Sequence, residues 1–385
     1  MINLLKSFIF IFLVVQFAAS AVATEPADSG NPYAPRYGHP YRHGAVPTRE
    51  AAARIGAWTA QQAVTSASAS SLMLAYAGGA DNIGVTSGKP KVYLVVYGSQ
   101  WGVQGTDVQG NMTLSGDRAG SVPYLQMLFK GLGTGAELWS GVLTQYCDGP
   151  LVLPGAMHCP ANAAHIAYPA GGALAGVWYD NSVASPPQAT SRQLALEAVA
   201  AAQHFGNTTP ASNRYAQYVI LSPSGTQPDG FNTPESGFCA WHSYSGDNYL
   251  SGGAVSSPYG DVAFTNMPYV YDVGGSCMAN AVNSGSRGAL DGVSIVEGHE
   301  YAETLTDPTL GGWYNQVSGS LFAGEEIGDE CSGFYPAPGF VQNVVMGNGA
   351  YAMQSLWSND TGACEISHAV IDPGITDDIF ASGFQ

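Results

Sequence analysis

The chain has 385 residues, of which 29 are acidic and 12 are basic, so its formal net charge is −17 at pH 7. This charge makes nucleic acids and anionic membranes poor partners, because both repel an acidic surface. The 49 glycines and 21 tyrosines, with 45% hydrophobic residues, are typical of a loop-rich globular protein and argue against a helical bundle.

The first 23 residues are typical of a secretory signal peptide, with an apolar core from Phe8 to Val15 and small residues up to Ala23. The core is too short to span a membrane, so we expect a secreted protein whose mature form has no membrane insertion. Residues 24–88 form an N-terminal leader that holds four basic residues against an acidic remainder. Both a removable pro-segment and a plain extension are compatible with this pattern.

Six cysteines in an exported chain predict up to three disulfides, although six cysteines allow many pairings. We expect them to pair in chain order, which would join the segment after the metal-site helix to the C-terminal strands.

Residues 89–368 are predicted to form a single zincin-like α+β domain with a mixed sheet, and residues 369–385 a short tail. Apolar stripes with a period of 3.6 predict helices, and continuous or alternating apolar runs predict strands. Helices are predicted at Thr48–Val64, Ser121–Leu132 and Ser191–Phe205, the last capped by Ser191. Strands are predicted at Lys89–Trp101, Ala136–Tyr146, Tyr218–Ser222, Asp261–Tyr271, Val341–Val345, Ala350–Ser358 and Ala363–Ser367, the second of these as a strand or edge element.

The stretch VSIVEGHEYAETLTDP, from Val293 to Pro308, predicts the helix around which the domain is organised. Asp291 is a candidate N-cap. The residue before a proline is pushed out of the helical conformation, so the helix should end near Thr306.

His299, Glu300 and Glu303 form an HExxE motif on this helix. At about 100° per residue, His299 and Glu303 project from one face and Glu300 lies beside them. This is the geometry of HExxH zinc sites with glutamate as the second ligand, although a solvated helix face can carry the same residues. A further carboxylate ligand is expected downstream, so we predict His299 and Glu303 as metal ligands, with Glu326 or Asp329 completing the site and Glu300 as general base.

The charge pattern supports a cation. No Lys or Arg follows Arg287, whereas fourteen carboxylates lie between Gly288 and Gln385. Carboxylates that converge without a cationic partner repel one another unless a bound cation compensates. Zn²⁺ is the expected ion, and Ca²⁺ or Mn²⁺ also suits an oxygen-rich site.

Three further residues are predicted to face a substrate. His242 stands among aromatic residues in FCAWHSY, where a structural histidine and a third ligand are the alternatives. Trp313 and Tyr314 follow the metal-site helix. We expect a cleft above His299, lined by these aromatic residues or by the strand at Asp261–Tyr271, with an extended peptide as its occupant.

The motifs occur in a characteristic order: VYLVVYGSQW, FCAW, GHEYAETLTDP followed by GGWYN, EEIGDEC, and YAMQSLWSN before Cys364. In this order, the chain resembles the EXORDIUM or phosphate-induced protein family and its bacterial secreted relatives. The most specific features are the helix with its Thr-Asp-Pro stop, the pair Trp313 and Tyr314, and the trio Glu326, Asp329 and Cys331. The resemblance covers residues 89–364. It implies a secreted or cell-wall-associated protein with a zincin-like helix, in a family whose plant members are known for roles in growth and not for an assigned reaction.

We therefore expect a metal-dependent peptidase or related hydrolase that acts on a peptide or protein through a metal-bound water activated by Glu300. The alternative is a non-catalytic EXORDIUM-like extracellular protein with a structural cation. A Ser-His-Asp hydrolase is disfavoured because the chain has no GxSxG elbow. Full burial of His299 and Glu300 in a form without the leader would favour the structural cation. The sequence does not constrain the oligomeric state.

Overall fold

The structure, a computed structural model, describes residues 32–33, 45–63, 72–80, 83–233, 237–317, 323–332 and 339–371. The predicted signal peptide and almost all of the predicted C-terminal tail lie outside the described residues. The helices are α1 Arg49–Ala63, α2 Ser121–Gly131, α3 Trp139–Leu143, α4 Ser191–His204, α5 Pro210–Asn213, α6 Gly285–Gly288 and α7 Asp291–Thr306. The strands are β1 Ala45–Pro47, β2 Ala75–Tyr76, β3 Lys91–Tyr97, β4 Gln104–Thr106, β5 Met112–Leu114, β6 Cys147–Asp148, β7 Ala164–His165, β8 Leu174–Asp180, β9 Ala216–Leu221, β10 Phe238–Tyr244, β11 Ala263–Met267, β12 Trp313–Tyr314, β13 Val341–Met346, β14 Gly349–Gln354, β15 Leu356–Ser358 and β16 Ala363–Glu365.

Six strands form a mixed central sheet in the order β1, β10, β11, β9, β3 and β8. The four strands from β11 to β8 are parallel to one another. β10 runs antiparallel to β11, and β1 runs antiparallel to β10. Parallel strands of this kind are covered on both faces, which explains why β3 and β9 are nearly continuous apolar runs.

Helices pack on both faces of the sheet. On one face, Gln217 of β9 donates hydrogen bonds to Thr265 of β11 at 2.8 Å and to Thr304 of α7 at 2.9 Å. On the opposite face, the ring of Tyr93 in β3 contacts Phe205, the residue that ends α4, with ring centroids 4.4 Å apart. This arrangement confirms the predicted α+β class and places α7 directly against the sheet.

Most of the predicted elements are confirmed. The structure contains the helices predicted in the leader, after Ser121 and after Ser191, and α7 ends at Thr306 as expected. The predicted strands are also present, apart from Ala136–Tyr146, and the one predicted at Ala350–Ser358 is divided into β14 and β15. The disulfides join the cysteines in chain order: Cys147–Cys159, Cys239–Cys277 and Cys331–Cys364.

The segment Ala136–Tyr146 forms no strand but contains the short helix α3. The carboxylate of Glu137 accepts hydrogen bonds from the backbone N–H groups of Gly133 and Ser140, at 2.8 and 3.0 Å. These bonds hold the chain in a turn that leads into the helix. A short apolar run does not distinguish a strand from a helix by periodicity alone, and the prediction was wrong for that reason.

Two predicted helix caps are also wrong. Thr190, not Ser191, caps α4, because its hydroxyl accepts from the N–H of Gln193 while the Gln193 side chain accepts from the N–H of Thr190. Asp291 is the first residue of α7 and does not cap it. Its carboxylate instead accepts from the N–H groups of Val282 and Asn283, at 2.8 and 2.6 Å, and so holds the preceding loop against the helix start.

The leader contributes strands to the folded domain. β1 pairs with β10 at the edge of the central sheet, and β2 pairs with β12, so that Tyr76 lies opposite Trp313. The strand predicted to line a cleft, β11, lies between β10 and β9 in the interior of the sheet. Among the described residues, no helix has both the length and the apolar character needed to cross a membrane.

Candidate metal centre

The helix that carries the motif is enclosed by the protein. All 16 residues of α7 are buried, between the central sheet on one side and β14 on the other. The helix stops at Thr306 because Asp307 precedes Pro308. The Oδ1 atom of Asp307 accepts from the N–H groups of Gly311 and Gly312, at 2.6 and 2.7 Å, which fixes the turn after the helix.

The first group of candidate ligands consists of His299, Glu303 and Asp329. The Nε2 atom of His299 lies 2.9 Å from Oε1 of Glu303 and 3.5 Å from Oδ1 of Asp329. Zinc bonds of 2.0–2.2 Å in tetrahedral geometry separate neighbouring ligand atoms by about 3.3 Å. One ligand atom from each of the three residues lies within 4.8 Å of the others, so the residues fit a single ion.

The orientation of the His299 ring is set by Gln354 of β14. The amide nitrogen of Gln354 donates to the carbonyl oxygen of Gly328 at 2.6 Å, so its Oε1 atom faces Nδ1 of His299 at 3.4 Å. Because Oε1 is only an acceptor, Nδ1 carries the proton and Nε2 presents its lone pair to Glu303 and Asp329. A partner of this kind fixes the tautomer of metal-binding histidines.

The loop that carries Asp329 is bonded directly to the helix. Oε1 of Glu303 accepts from the backbone N–H groups of Gly328 and Asp329, both at 3.1 Å. Gly328 also lies against the imidazole ring: a Cβ atom at this position would stand 2.6 Å from Nδ1 of His299. Only glycine lets the loop approach the histidine this closely.

His242 lies on the other side of Glu303. Its Nδ1 atom is 3.4 Å from Oε2 of Glu300 and 3.8 Å from Oε2 of Glu303, and its Nε2 atom is 3.6 Å from Oε2 of Glu326. Nε2 also contacts the carbonyl oxygen of Asp307 at 3.3 Å. His242, Glu303 and Glu326 form a second group whose ligand atoms lie within 4.8 Å of one another. His242 is therefore part of the ionisable cluster and does not line an open cleft.

The carboxylates of this cluster hold protons readily. The pKa of Glu303 is raised to about 7, because burial and then the charge of Asp329 outweigh the opposing effect of His299. Burial, followed by the charges of neighbouring carboxylates, raises the pKa of Glu326 well above its usual range. Burial lowers the pKa of His299, but Glu303 and Asp329 together outweigh it, so the pKa lies well above its ordinary value. A bound dication would take the place of these protons.

Glu300 lies beside both groups and belongs to neither. It is fully buried, and burial raises its pKa well above the usual range. Within the part of the chain that the structure describes, neither of its carboxylate oxygens has a hydrogen-bond partner. A buried carboxyl group without hydrogen bonds destabilises the folded state. Its position next to the candidate ligands therefore suggests a function for Glu300.

Trp313 is buried in the structure and Tyr314 is half-buried. Trp313 is 1% exposed, and its indole nitrogen donates to the carbonyl oxygen of Cys147 at 2.9 Å. Its ring packs against Tyr76 and Tyr146. Burial raises the pKa of Tyr314 to about 12, with smaller contributions from Asp307 and Glu326.

Two functional features are not visible in the sequence pattern. Gln354 is 55 residues from His299 and carries no motif of its own. The two-sided position of Glu303, between His299 and His242, depends on the pairing of β10 into the sheet. A third group of candidate ligands, Cys147, Cys159 and His165, is excluded from binding a metal through its thiols because the two cysteines form a disulfide.

Comparisons with models of protein families, with curated proteins and with solved structures gave no match. The resemblance to the EXORDIUM family therefore stays a prediction.

Proposed function

We propose that this protein binds a divalent cation through His299, Glu303 and Asp329, and that Zn²⁺ is the preferred ion. One observation carries the proposal: a histidine lone pair, oriented by Gln354, faces two carboxylates that are shielded from water. The Nε2 atom of His299 lies 2.9 Å from Glu303 and 3.5 Å from Asp329. Imidazole favours Zn²⁺, and the carboxylates also accept Mn²⁺ or Ca²⁺.

In the full chain such an ion is structural. His299 is 1% exposed and Glu303 is fully buried, so protein atoms close the site, whereas a catalytic ion keeps one position open to water or substrate. The ion would join α7 to the loop at Asp329, which the Cys331–Cys364 disulfide ties to β16. It would thus hold the C-terminal strands against the helix.

The test is metal analysis of the purified full chain by mass spectrometry, before and after exhaustive dialysis. We expect a tightly held divalent metal in the wild type and its loss in His299→Ala. His165→Ala is the matched control, because His165 is also buried and bonds through Nδ1 to the carbonyl oxygen of Thr144. The proposal would be refuted by a wild-type protein without metal, or by a His299→Ala variant that holds as much metal as the wild type.

A second function is favoured by Glu300: a metal-dependent peptidase that is latent in the full chain. Glu300 is fully buried, lies outside both ligand groups and has no hydrogen-bond partner among the described residues. A purely structural site needs no such carboxyl group. The bound cation would supply Lewis acidity, and Glu300 would accept and return the proton as general base.

The leader supports this second function through β1. Its residues pair antiparallel with the strand that carries His242, so that Ala45 lies opposite Trp241 and Val46 opposite Ala240. An extended peptide adds to a sheet edge in the same way. Release of the leader would therefore expose the backbone of β10 beside the buried cluster.

The latent peptidase is tested by inserting a specific protease site between Ala63 and Leu72 and measuring hydrolysis of an unstructured protein before and after cleavage. We expect activity only after cleavage and release of the part of the leader that carries β1, and none in the Glu300→Gln variant treated in the same way. A released, metal-loaded protein that hydrolyses nothing would leave the structural cation as the function.

A further inference from the structure

Glu303 presents its two carboxylate oxygens to two different histidines. Oε1 lies 2.9 Å from Nε2 of His299, and Oε2 lies 3.8 Å from Nδ1 of His242. The two histidines reach Glu303 from different elements, since His299 belongs to α7 and His242 to β10. A carboxylate that faces two imidazoles in this way has the geometry of a bridging ligand.

On the side of Glu303 that faces His242, a second group of three candidate ligands is present. His242, Glu303 and Glu326 each offer one ligand atom, these atoms lie within 4.8 Å of one another, and all three residues are buried. The separation of 3.8 Å between Nδ1 of His242 and Oε2 of Glu303 is near the distance of about 3.3–3.6 Å expected between neighbouring zinc ligands.

An independent observation points to a ligand on this side. The Oε2 atom of Glu303 is buried and has no hydrogen-bond partner within the described residues, although Oε1 accepts two backbone N–H groups. Nε2 of His242 donates to the carbonyl oxygen of Asp307, which leaves the lone pair of Nδ1 facing Oε2 of Glu303 and of Glu300. A lone pair that faces two carboxylate oxygens is repulsive unless a proton or a cation lies between them, and a dication would take the place of such a proton.

We propose that the protein holds two divalent cations bridged by Glu303. The first ion lies with His299 and Asp329, and the second lies with His242 and Glu326. This inference rests on the proposed cation site at His299 and extends it to a second ion.

The charge balance agrees with two ions. When ionised, Glu300, Glu303, Asp307, Glu326 and Asp329 carry five negative charges in a buried region. One dication leaves three of these charges uncompensated, whereas two dications leave one. Uncompensated charge is costly in a buried site, so the second ion stabilises the ligand set as a whole. One imidazole per ion suits Zn²⁺ or Mn²⁺ better than Ca²⁺.

The second ion also gives β10 a defined link to α7. His242 lies next to the leader strand in the sheet, and Glu326 lies in the loop that follows β12. An ion between them would join the edge of the sheet, the metal-site helix and the loop at one point. Metal pairs bridged in this way lie about 3.5–4 Å apart and share the charge of the bridging group.

The experiment is a titration of the chelator-treated full chain with Mn²⁺, followed by electron paramagnetic resonance and by metal analysis. We expect two equivalents in the wild type and the exchange-coupled spectrum of a Mn²⁺ pair. His242→Ala and the more conservative Glu326→Gln should each bind one equivalent with an uncoupled spectrum. His165→Ala should bind two, and circular dichroism shows which variants remain folded.

The two proposals fail in different ways. One equivalent in the wild type that is lost in His299→Ala but kept in His242→Ala overturns the second ion and leaves the first. Two equivalents in both His242→Ala and Glu326→Gln also overturn the second ion. A wild-type protein that binds none overturns both proposals.

Discussion

The Oε1 atom of Gln354 faces Nδ1 of His299 at 3.4 Å, while the amide nitrogen of the same glutamine donates to the carbonyl oxygen of Gly328 at 2.6 Å. The glutamine cannot turn its amide round without losing the second bond. Its acceptor oxygen thus selects the tautomer of His299 in which Nε2 is free to bind a cation. Gln354 of β14 therefore sets the tautomer of His299 on α7, although the two residues belong to no common motif.

We predict that Gln354→Ala weakens divalent metal binding by about 10- to 100-fold, the usual effect of removing a residue that orients a histidine ligand. Gln354→Glu retains an acceptor at the same position and should recover part of the affinity. Competition with a fluorescent chelator measures both. Gln342→Ala, on the paired strand β13 and exposed, is the control. Equal affinity in Gln354→Ala and Gln342→Ala would refute the role of Gln354.

Gly328→Ala should displace either His299 or the loop that contacts it. The new Cβ atom would stand 2.6 Å from Nδ1 and 2.7 Å from Cε1 of the ring, so either the loop or the histidine must move. We expect loss of the metal and destabilisation of about 1–3 kcal/mol, as for overpacking of a buried site. Thermal melting and metal analysis measure these effects. Gly275→Ala, where no heavy atom lies within 4 Å of an added Cβ, should change neither quantity.

The helix at the centre of the site could be predicted because its signals are local. The spacing of His299 and Glu303 fixes a common face, and Pro308 fixes the end of the helix at Thr306, whatever the rest of the chain does. The downstream carboxylates Glu326 and Asp329 were predicted as alternative ligands from the absence of basic residues in their segment. The structure brings Asp329 within 3.5 Å of His299.

The remainder of the site depends on contacts that are distant in sequence. His242 reaches Glu303 only because β10 pairs with β11, and Gln354 reaches His299 only because β14 packs on α7. The enclosure of His299 in the full chain was not predictable for a similar reason, because no periodicity in the sequence shows that the leader pairs with β10 and β12. Trp313, predicted to face a substrate, instead packs on Tyr76 of the leader.

Glu197 gives the protein a pH dependence that is independent of the metal centre. Burial, followed by the charge of Asp180, raises its pKa to about 8. The folded protein therefore keeps a proton that the unfolded chain releases above its ordinary pKa of 4.5. The contribution of Glu197 to the free energy of unfolding is fully present below pH 4.5 and is lost as the pH rises towards about 8.

We predict that Glu197→Gln, which cannot ionise, becomes more stable than the wild type as the pH rises from 5 to 8. The difference should reach the order of 3 kcal/mol and then level off. Urea unfolding across this pH range measures it, and Glu365→Gln serves as a control on the C-terminal strand β16. A difference that stays constant with pH would show that Glu197 ionises normally in the folded protein.

Glu303 and Glu300 should respond differently to the same substitution. Glu303→Gln removes a ligand charge and should lose metal and melting temperature together, because binding free energy contributes to folding free energy. Glu300→Gln should retain the metal, since Glu300 belongs to neither ligand group. Glu297→Gln, fully buried on the same helix and outside both groups, is the control. Equal metal loss in Glu300→Gln and Glu303→Gln would contradict these roles.

Removal of the cation should loosen the loop at Asp329 before the rest of the fold. At free metal about 1,000-fold above Kd, binding stabilises the folded state by about 4 kcal/mol, so chelation should lower the melting temperature on the order of 10 °C. His299→Ala should respond less to the chelator than the wild type does, and added Zn²⁺ should restore the wild type. Hydrogen exchange locates the effect, because the N–H groups of Gly328 and Asp329 donate to Oε1 of Glu303 at 3.1 Å. Without the ion, the carboxylates of Glu303 and Asp329 repel each other across these bonds, so these two amides should lose protection while those of β3 and β9 keep it. If β3 and β9 lose protection to the same extent, the ion stabilises the whole domain and not this junction.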